Sequence, residues 1–278
     1  MKNHFIGWYY KHSNPRESLA VIPCKTAEHA YIWVITPGGS YHVKYPLSQF
    51  SRRGHVVSIG RNQFSPQGIR LNIHCKKFTL TGQLTYHQPR PIRGNIMGPF
   101  NWLPMECKHH IISMHHQVKG ALTLNGREID FTNGHGYIES DRGRSFPEKY
   151  AWVQCNNFDM DKGAAITLAV ATIPMLWGQF NGCFALLQCN GKEIRLATYK
   201  GAKIKRVTKK TILITQGAYS LFVKIRPKRG KKLPAPKDGV MSRYIKENLQ
   251  TQGEFILLKG KDCIFYGTSK FVSWEYEG

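Results

Sequence analysis

Apolar positions along this chain recur with a period of two. Short runs of β-branched and aromatic residues return about every 8–12 residues, separated by Gly, Pro, Asn and Asp, the signature of many short antiparallel strands. The pattern predicts strands over 5–10, 19–22, 30–35, 41–45, 56–59, 69–73 and 78–86, then over 110–118, 121–124, 128–131 and 136–139. In the second half it predicts 151–158, 165–173, 184–188, 194–199, 212–216, 220–225, 255–258, 263–266 and 271–276. Asn125-Gly126 and Asn190-Gly191 each join two such runs, and the Asn-Gly pair supplies the two left-handed residues of a type I′ hairpin turn. Only 242–249 reads as a helix. So many strands exceed one small sandwich, so the expected fold is all-β: two antiparallel β-sandwich or barrel domains packed together, 1–145 and 146–278, with one short helix near the C-terminus. The segment 88–104, with Pro89, Pro91, Pro99 and Pro104, is a long irregular loop; loops of that size are more often functional than accidental.

Composition narrows the classes. Of 278 residues, 41% are hydrophobic and 12% aromatic, enough to bury a core and to exclude wholesale disorder. The longest apolar stretch, 164–177, carries two threonines and Pro174 and falls short of the ~20 residues of a membrane-spanning helix. The N-terminal MKNHFIGWYYKH has no apolar core of a signal peptide. The seven cysteines are scattered, odd in number and never in a CxxC pair. They read as buried thiols in a reducing cytosol, so a cytoplasmic location is expected. The net charge of +23 is unevenly spread: twelve basic residues fall in 200–232, and no acid lies between Glu193 and Asp238. Such a patch is either an ordinary solvated face or attracts a polyanion, an anionic bilayer surface or nucleic acid. Known nucleic-acid-binding signatures are missing, so a nucleic-acid partner is disfavoured.

The chemistry-bearing residues gather in two places. P-loop, GxGxxG, HExxH and GxSxG motifs do not occur. Histidines cluster at His109, His110, His115 and His116, but pairs six apart on a strand stand about 20 Å apart, too far for one metal ion. No metal site is expected; one histidine can act as a cavity donor or proton carrier. The segment GYIESDRGRSFPEKYAWVQCNNF, 136–158, is the densest. Glu139 and Asp141 alternate onto one strand face, where each suppresses the other's ionisation, and a raised carboxylic acid is what general acid catalysis needs. A salt-bridged turn involving Arg142, Arg144 and Lys149 is the competing reading. Further on, Trp152, Gln154, Asn156 and Phe158 share one face, like a cavity wall, while Ala151, Val153 and Cys155 share the other.

HFIGWYYK, the Met97-Gly98-Pro99-Phe100 loop leading to LPMEC and the H-x-x-x-S-M strand, GYIESDRGRSFP and WVQCNNF together resemble the tocopherol cyclase-like family, with weaker agreement in LATYKGAKI and MSRYIKENL. The resemblance runs over nearly the whole chain. It implies a lipocalin-like fold related to carotenoid hydratases, no cofactor, and a reaction in which a hydroxyl adds across a prenyl double bond to close a ring. Glu139 stands where the related hydratases place their acid, with Asp141 second. Trp8, Trp102 and Trp152 offer faces for a cation; Tyr10, His109, His116, Gln154 and Asn156 complete the implied substrate wall. The chain departs from the family's usual HFEGWY and E-x-D-W-G at Ile6 and Arg142, and Arg142 adds a charge beside the implied acid.

The sequence thus supports an isomerase closing a ring on a hydrophobic isoprenoid or prenylated aromatic. The alternative is a lipocalin-like carrier of a hydrophobic ligand, docked on membrane by its basic patch.

Overall fold

The structure, a computed structural model, describes residues 4–161, 163–175 and 178–278, the side chain of Met175 excepted. Among these the regular backbone is two antiparallel sheets, of twelve and ten strands, with three short 3-10 turns and no α-helix. Two compact units result. The first comprises Met1–Arg93, His109–Ser145 and Ala235–Arg243; the second comprises Gly94–Lys108, Phe146–Pro234 and Tyr244–Gly278.

Each sheet is a meander that returns on itself. In the first, the opening strand Phe5–Ser13 pairs with the closing strand Gly134–Gly143. The two unpaired edges, Ser40–Pro46 and Phe50–Arg53, are consecutive in the chain and flank the 3-10 turn Leu47–Gln49. The second sheet repeats the plan. Tyr150–Cys155 pairs with Asp262–Glu277, and the free edges Lys192–Ala197 and Lys203–Val207 flank the turn Thr198–Lys200. Each unit has its own core. Tyr10, Val21, Ile32, Phe64, Leu84 and Ile138 belong to the first; Val153, Ile166, Leu187, Ile214, Phe255 and Trp274 belong to the second. Period-two alternation puts one face of every strand into these cores.

Both hairpin turns form as expected: Asn125 and Gly126 have φ of 50° and 81°, Asn190 and Gly191 of 49° and 69°. The helix expected over 242–249 does not form. These residues lie in the 20-residue strand Val240–Lys259, where Ile245, Glu247, Leu249 and Thr251 are all buried on one face. Glu247, charged yet fully buried, breaks the apolar alternation in the sequence and hides the strand. Phe158 is a second correction. The strand ends at Cys155, so Phe158 leaves the face of Trp152 and packs in the core on Phe255 and Phe265.

All seven cysteines are free. No helix among the described residues is long and apolar enough to cross a membrane; of the apolar stretch 164–177, Leu176 and Trp177 lie outside the described residues, as do Met1, Lys2 and Asn3 of the N-terminal segment.

The long loop is anchored within the second unit. Arg195 Nη1 donates to the Asn95 carbonyl at 2.9 Å, and the Tyr199 hydroxyl donates to the Ile96 carbonyl at 3.0 Å. Gly98 then turns with φ of 54° directly against Tyr199, whose ring would lie 2.6 Å from an added Cβ. Gly191 also has positive φ but meets nothing within 4 Å. Gly98→Ala should therefore destabilise the protein by about 2 kcal/mol or more, combining the left-handed penalty with displacement of the ring, and Gly191→Ala by only about 1 kcal/mol. Urea unfolding midpoints check this; equal losses at the two sites would contradict the packing argument.

Candidate functional site

The register of the first unit's opening and closing strands builds the site. Gly7 lies opposite Asp141, Tyr9 opposite Glu139 and Lys11 opposite Tyr137. Directly opposed residues share a sheet face, so Tyr9, Lys11, Tyr137, Glu139 and Asp141 form one row. It is the face away from the unit's own core, because the alternate residues Trp8, Tyr10 and Ile138 belong to that core. The row is nonetheless deeply placed. Tyr137 and Lys11 are at most 1% exposed and Glu139 is 4% exposed.

His109, on the neighbouring strand Cys107–Leu124, bridges the two carboxylates. Its Nδ1 lies 2.9 Å from Asp141 Oδ1 and its Nε2 lies 3.2 Å from Glu139 Oε2. The Tyr137 hydroxyl also donates to Glu139 Oε2. Both contacts thus fall on one oxygen of Glu139.

Electrostatics follow from burial. Burial pushes the Glu139 carboxyl up and Asp141 adds to the rise, against the downward pull of His109 and Tyr137. For His109, burial acts against the charged ring, but the two carboxylates outweigh it and hold the imidazole well above its ordinary value. A buried cluster is least costly when its charges cancel. An imidazolium balanced by one negative charge shared across the two carboxyls achieves this. The ligand atoms of His109, Glu139 and Asp141 also lie within 4.8 Å of one another, close enough to hold a metal ion. The expectation of no metal considered histidine pairs and did not consider this mixed set. As the side chains stand, both ring nitrogens are engaged with different carboxylates, a proton-holding arrangement.

The basic side chains near the turn do not neutralise the pair. Arg142 is exposed, lies opposite Ile6 in the ladder and makes no ion pair among the described residues. Its charge acts on His110, which is lowered by burial first and then by His109, Arg142 and His55. Arg144 reaches Asp238 at 3.5 Å instead. The charge expected from Arg142 beside the implied acid falls instead on the other face of the sheet, where alternation sends it. Both departures from the family motif, Ile6 and Arg142, sit opposite each other off the carboxylate face.

Other implied site residues are scattered. Trp8 and Tyr10 are separated from Glu139 by the sheet itself: Trp8 lies under Arg52 at 5.4 Å and Tyr10 against Phe64 at 5.7 Å. His116 is core-side as well, its ring filling the space a Cβ on Gly136 would need. Trp102 is 87% exposed and so walls no dry cavity. Trp152 and Gln154 are buried in the second unit on the face away from Ala151, Val153 and Cys155, while Asn156, also buried, lies beyond the end of the strand. The sequence reading missed Tyr137 and Tyr9. Tyr137 was findable, since it precedes Glu139 and Asp141 at the same period of two. Tyr9 depended on a strand pairing no local pattern reveals.

His116 belongs to a buried polar chain in the first unit. His12 Nε2 and Tyr86 Oη share a hydrogen bond of 2.6 Å, the Tyr86 and His116 rings lie 4.3 Å apart, and His116 Nδ1 meets Ser113 Oγ at 3.1 Å. His115 bonds His135 at 2.8 Å. Burial lowers His12 to about 3 and, helped by Arg90 and His135, His115 to about 3. Unfolding returns both to their ordinary value of 6.5. The unfolded chain then binds more protons below that pH, so this stability is complete above pH 6.5 and declines as pH falls toward 3, by up to about 1.4 kcal/mol per pH unit for each ring. Urea midpoints measured from pH 8 to pH 4 should fall below pH 6.5, and less steeply in a His12→Gln/His115→Gln variant. Identical slopes would place the acid sensitivity elsewhere.

The tocopherol cyclase-like family matches residues 45–275. No curated protein matches the sequence. Among solved structures, a protein assigned as AttH from Nitrosomonas europaea is similar with a TM-score of 0.59 at 16% identity, covering 99% of this chain and 93% of that one. Kievitone hydratase from Nectria haematococca is similar with a TM-score of 0.56 at 13% identity, covering 99% and 89%. CghA with Sch210972 is similar with a TM-score of 0.64 at 11% identity, covering 99% and 88%. At these identities the likeness concerns the fold.

Proposed function

The chain belongs to the tocopherol cyclase-like family, and on that premise we propose that it closes a ring on a hydrophobic isoprenoid by protonating a carbon–carbon double bond, with Glu139 as the acid. The observation that carries this reading is a single buried carboxyl, raised by its burial and held at Oε2 between the Tyr137 hydroxyl and the His109 ring. The Glu139 proton adds to the less substituted alkene carbon and leaves a tertiary cation. Glu139 becomes a carboxylate at the same moment, so the cluster and the cation together stay neutral. The substrate's own hydroxyl oxygen then forms the new C–O bond, and its proton returns to Glu139. The product is an isomer of the substrate, and the cycle consumes no co-reactant.

Each neighbour has a part. His109 is a positioning residue that holds Oε2 through Nε2, and Asp141 fixes the ring through Nδ1. Tyr9 and Tyr137, edge to face at 6.4 Å, replace Trp8 as the aromatic groups beside the acid; ring faces stabilise a developing cation. Hydration of an alkene, the kind of step suggested by the name of one structural neighbour, shares the first step and differs only in whether water or the substrate hydroxyl takes the cation.

The test begins with mass spectrometry of organic extracts of the purified protein, which identifies the hydrophobe it carries. Turnover of that compound and of prenylated phenols is then followed in D₂O. Ring closure should leave a product of unchanged formula apart from one carbon-bound deuterium; a gain of one water would mean hydration. Glu139→Gln should retain the bound hydrophobe and lower turnover about 10²–10⁴-fold. A chelator should leave turnover unchanged. A retained hydrophobe that the wild-type protein never converts would make the chain a carrier, and full activity in Glu139→Gln would remove the acid from Glu139.

A further inference from the structure

The basic segment of the second unit folds into a sheet face with an unforeseen apolar row. Ladder pairing aligns Arg206, Leu213, Phe222, Ile256 and Tyr266 side by side across five strands. Their alternates Ile212, Ile214, Leu221, Val223, Phe255, Leu257 and Phe265 fill the unit's core, so this row points away from it. Leu213, Phe222 and Ile256 are half-buried and Tyr266 is 53% exposed. At the usual strand spacing the four apolar residues extend about 15 Å.

Cations border the row. Lys203, Lys205 and Arg206 are exposed at the free edge, and Lys224 and Arg226 are exposed on the strand of Phe222, two and four residues beyond it. Lys224 and Arg226 share the outward face with Phe222, about 7 and 13 Å along it. Glu254, the acid opposite Lys224, accepts a hydrogen bond from Tyr266 at 3.4 Å. An exposed tyrosine among aliphatic side chains, ringed by lysine and arginine, matches the layering of a membrane interface, with apolar groups below and phosphates at the rim. A nucleic-acid strand would use the cations but gain nothing from Leu213 and Ile256.

We propose that this face docks the protein on an anionic lipid bilayer. The inference stands independently of the acid chemistry assigned to Glu139. The full chain should be floated with vesicles of phosphatidylcholine alone and of phosphatidylcholine containing 30% phosphatidylglycerol, at 0.1 M and 0.5 M NaCl. Binding should require the anionic lipid, weaken in high salt and persist in part there, because the apolar row is not screened. Lys224→Gln/Arg226→Gln should bind about 30-fold more weakly. Tyr266→Ser, an exposed change that leaves the core intact, should remove the salt-resistant fraction. Equal partitioning to both vesicle types would overturn the proposal, as would unaltered binding by the double variant. Tight binding of a single-stranded oligonucleotide without vesicle binding would make the face a nucleic-acid surface instead.

Discussion

The pairing of Phe5–Ser13 with Gly134–Gly143 is the constraint on which the first unit depends. It closes the meander, and its register sorts every residue of both strands to one face or the other. With Tyr9 opposite Glu139, the carboxylates stand on the face away from the core and Trp8, Tyr10 and Ile138 on the core face. A slip of one residue would pair Tyr10 with Glu139, either bringing the carboxyl onto the core face or taking Tyr10 off it. The unpaired carboxylate in an apolar core makes that alternative costly. The hydrophobic effect that packs the core therefore also holds the carboxylate row in place.

Much of this was legible where chemistry is local. The two Asn-Gly turns need positive φ at both positions, and the strands around them alternate cleanly. Glu139 and Asp141 were found on one face by their spacing, and the outward pair Trp152 and Gln154 by the same rule. What stayed hidden was of two kinds. Strands such as Asn62–Ser65, Lys203–Val207 and Lys231–Lys237 are too polar to announce themselves; they form because neighbours offer hydrogen bonds. Long-range pairing was the second kind. Nothing in HFIGWYYK says that Tyr9, and not Trp8, will face a glutamate about 130 residues away. His109 likewise looked like one of four equal histidines until the sheet brought it between two carboxylates.

The histidines show how environment divides one residue type into opposite roles. His12, His115 and His116 have no acid beside them, so burial wins and keeps them neutral. His109 is buried too, yet two carboxylates reverse the balance. The neutral rings support the core through hydrogen bonds to Tyr86, Ser113 and His135 and have no proton to give at neutral pH. The charged ring has one, and it is held where a carboxyl can share it. His115 alternates onto the same face as His109, so what separates the charged ring from the neutral ones is its two carboxylate neighbours and not the side of the sheet.

The second unit sharpens this point because it repeats the plan without the imidazole. Its first and last strands also pair, placing Trp152 opposite Glu275, as Tyr9 stands opposite Glu139. The Tyr150 hydroxyl donates to Glu275 Oε2 at 2.6 Å, as Tyr137 does to Glu139. Glu247 lies opposite Glu275 on the next strand and is fully buried. Yet all twelve histidines of the chain precede residue 136, and none falls in the second unit. A tyrosine can hold a carboxylate, but only as a neutral donor, because it takes no second proton near neutral pH. Imidazole is the side chain whose affinity for a proton lies in that range. Both units thus hold a glutamate by a tyrosine hydroxyl in this strand plan, and only the first adds an imidazole that can face it as a cation, which favours Glu139 over Glu275 as the proposed acid.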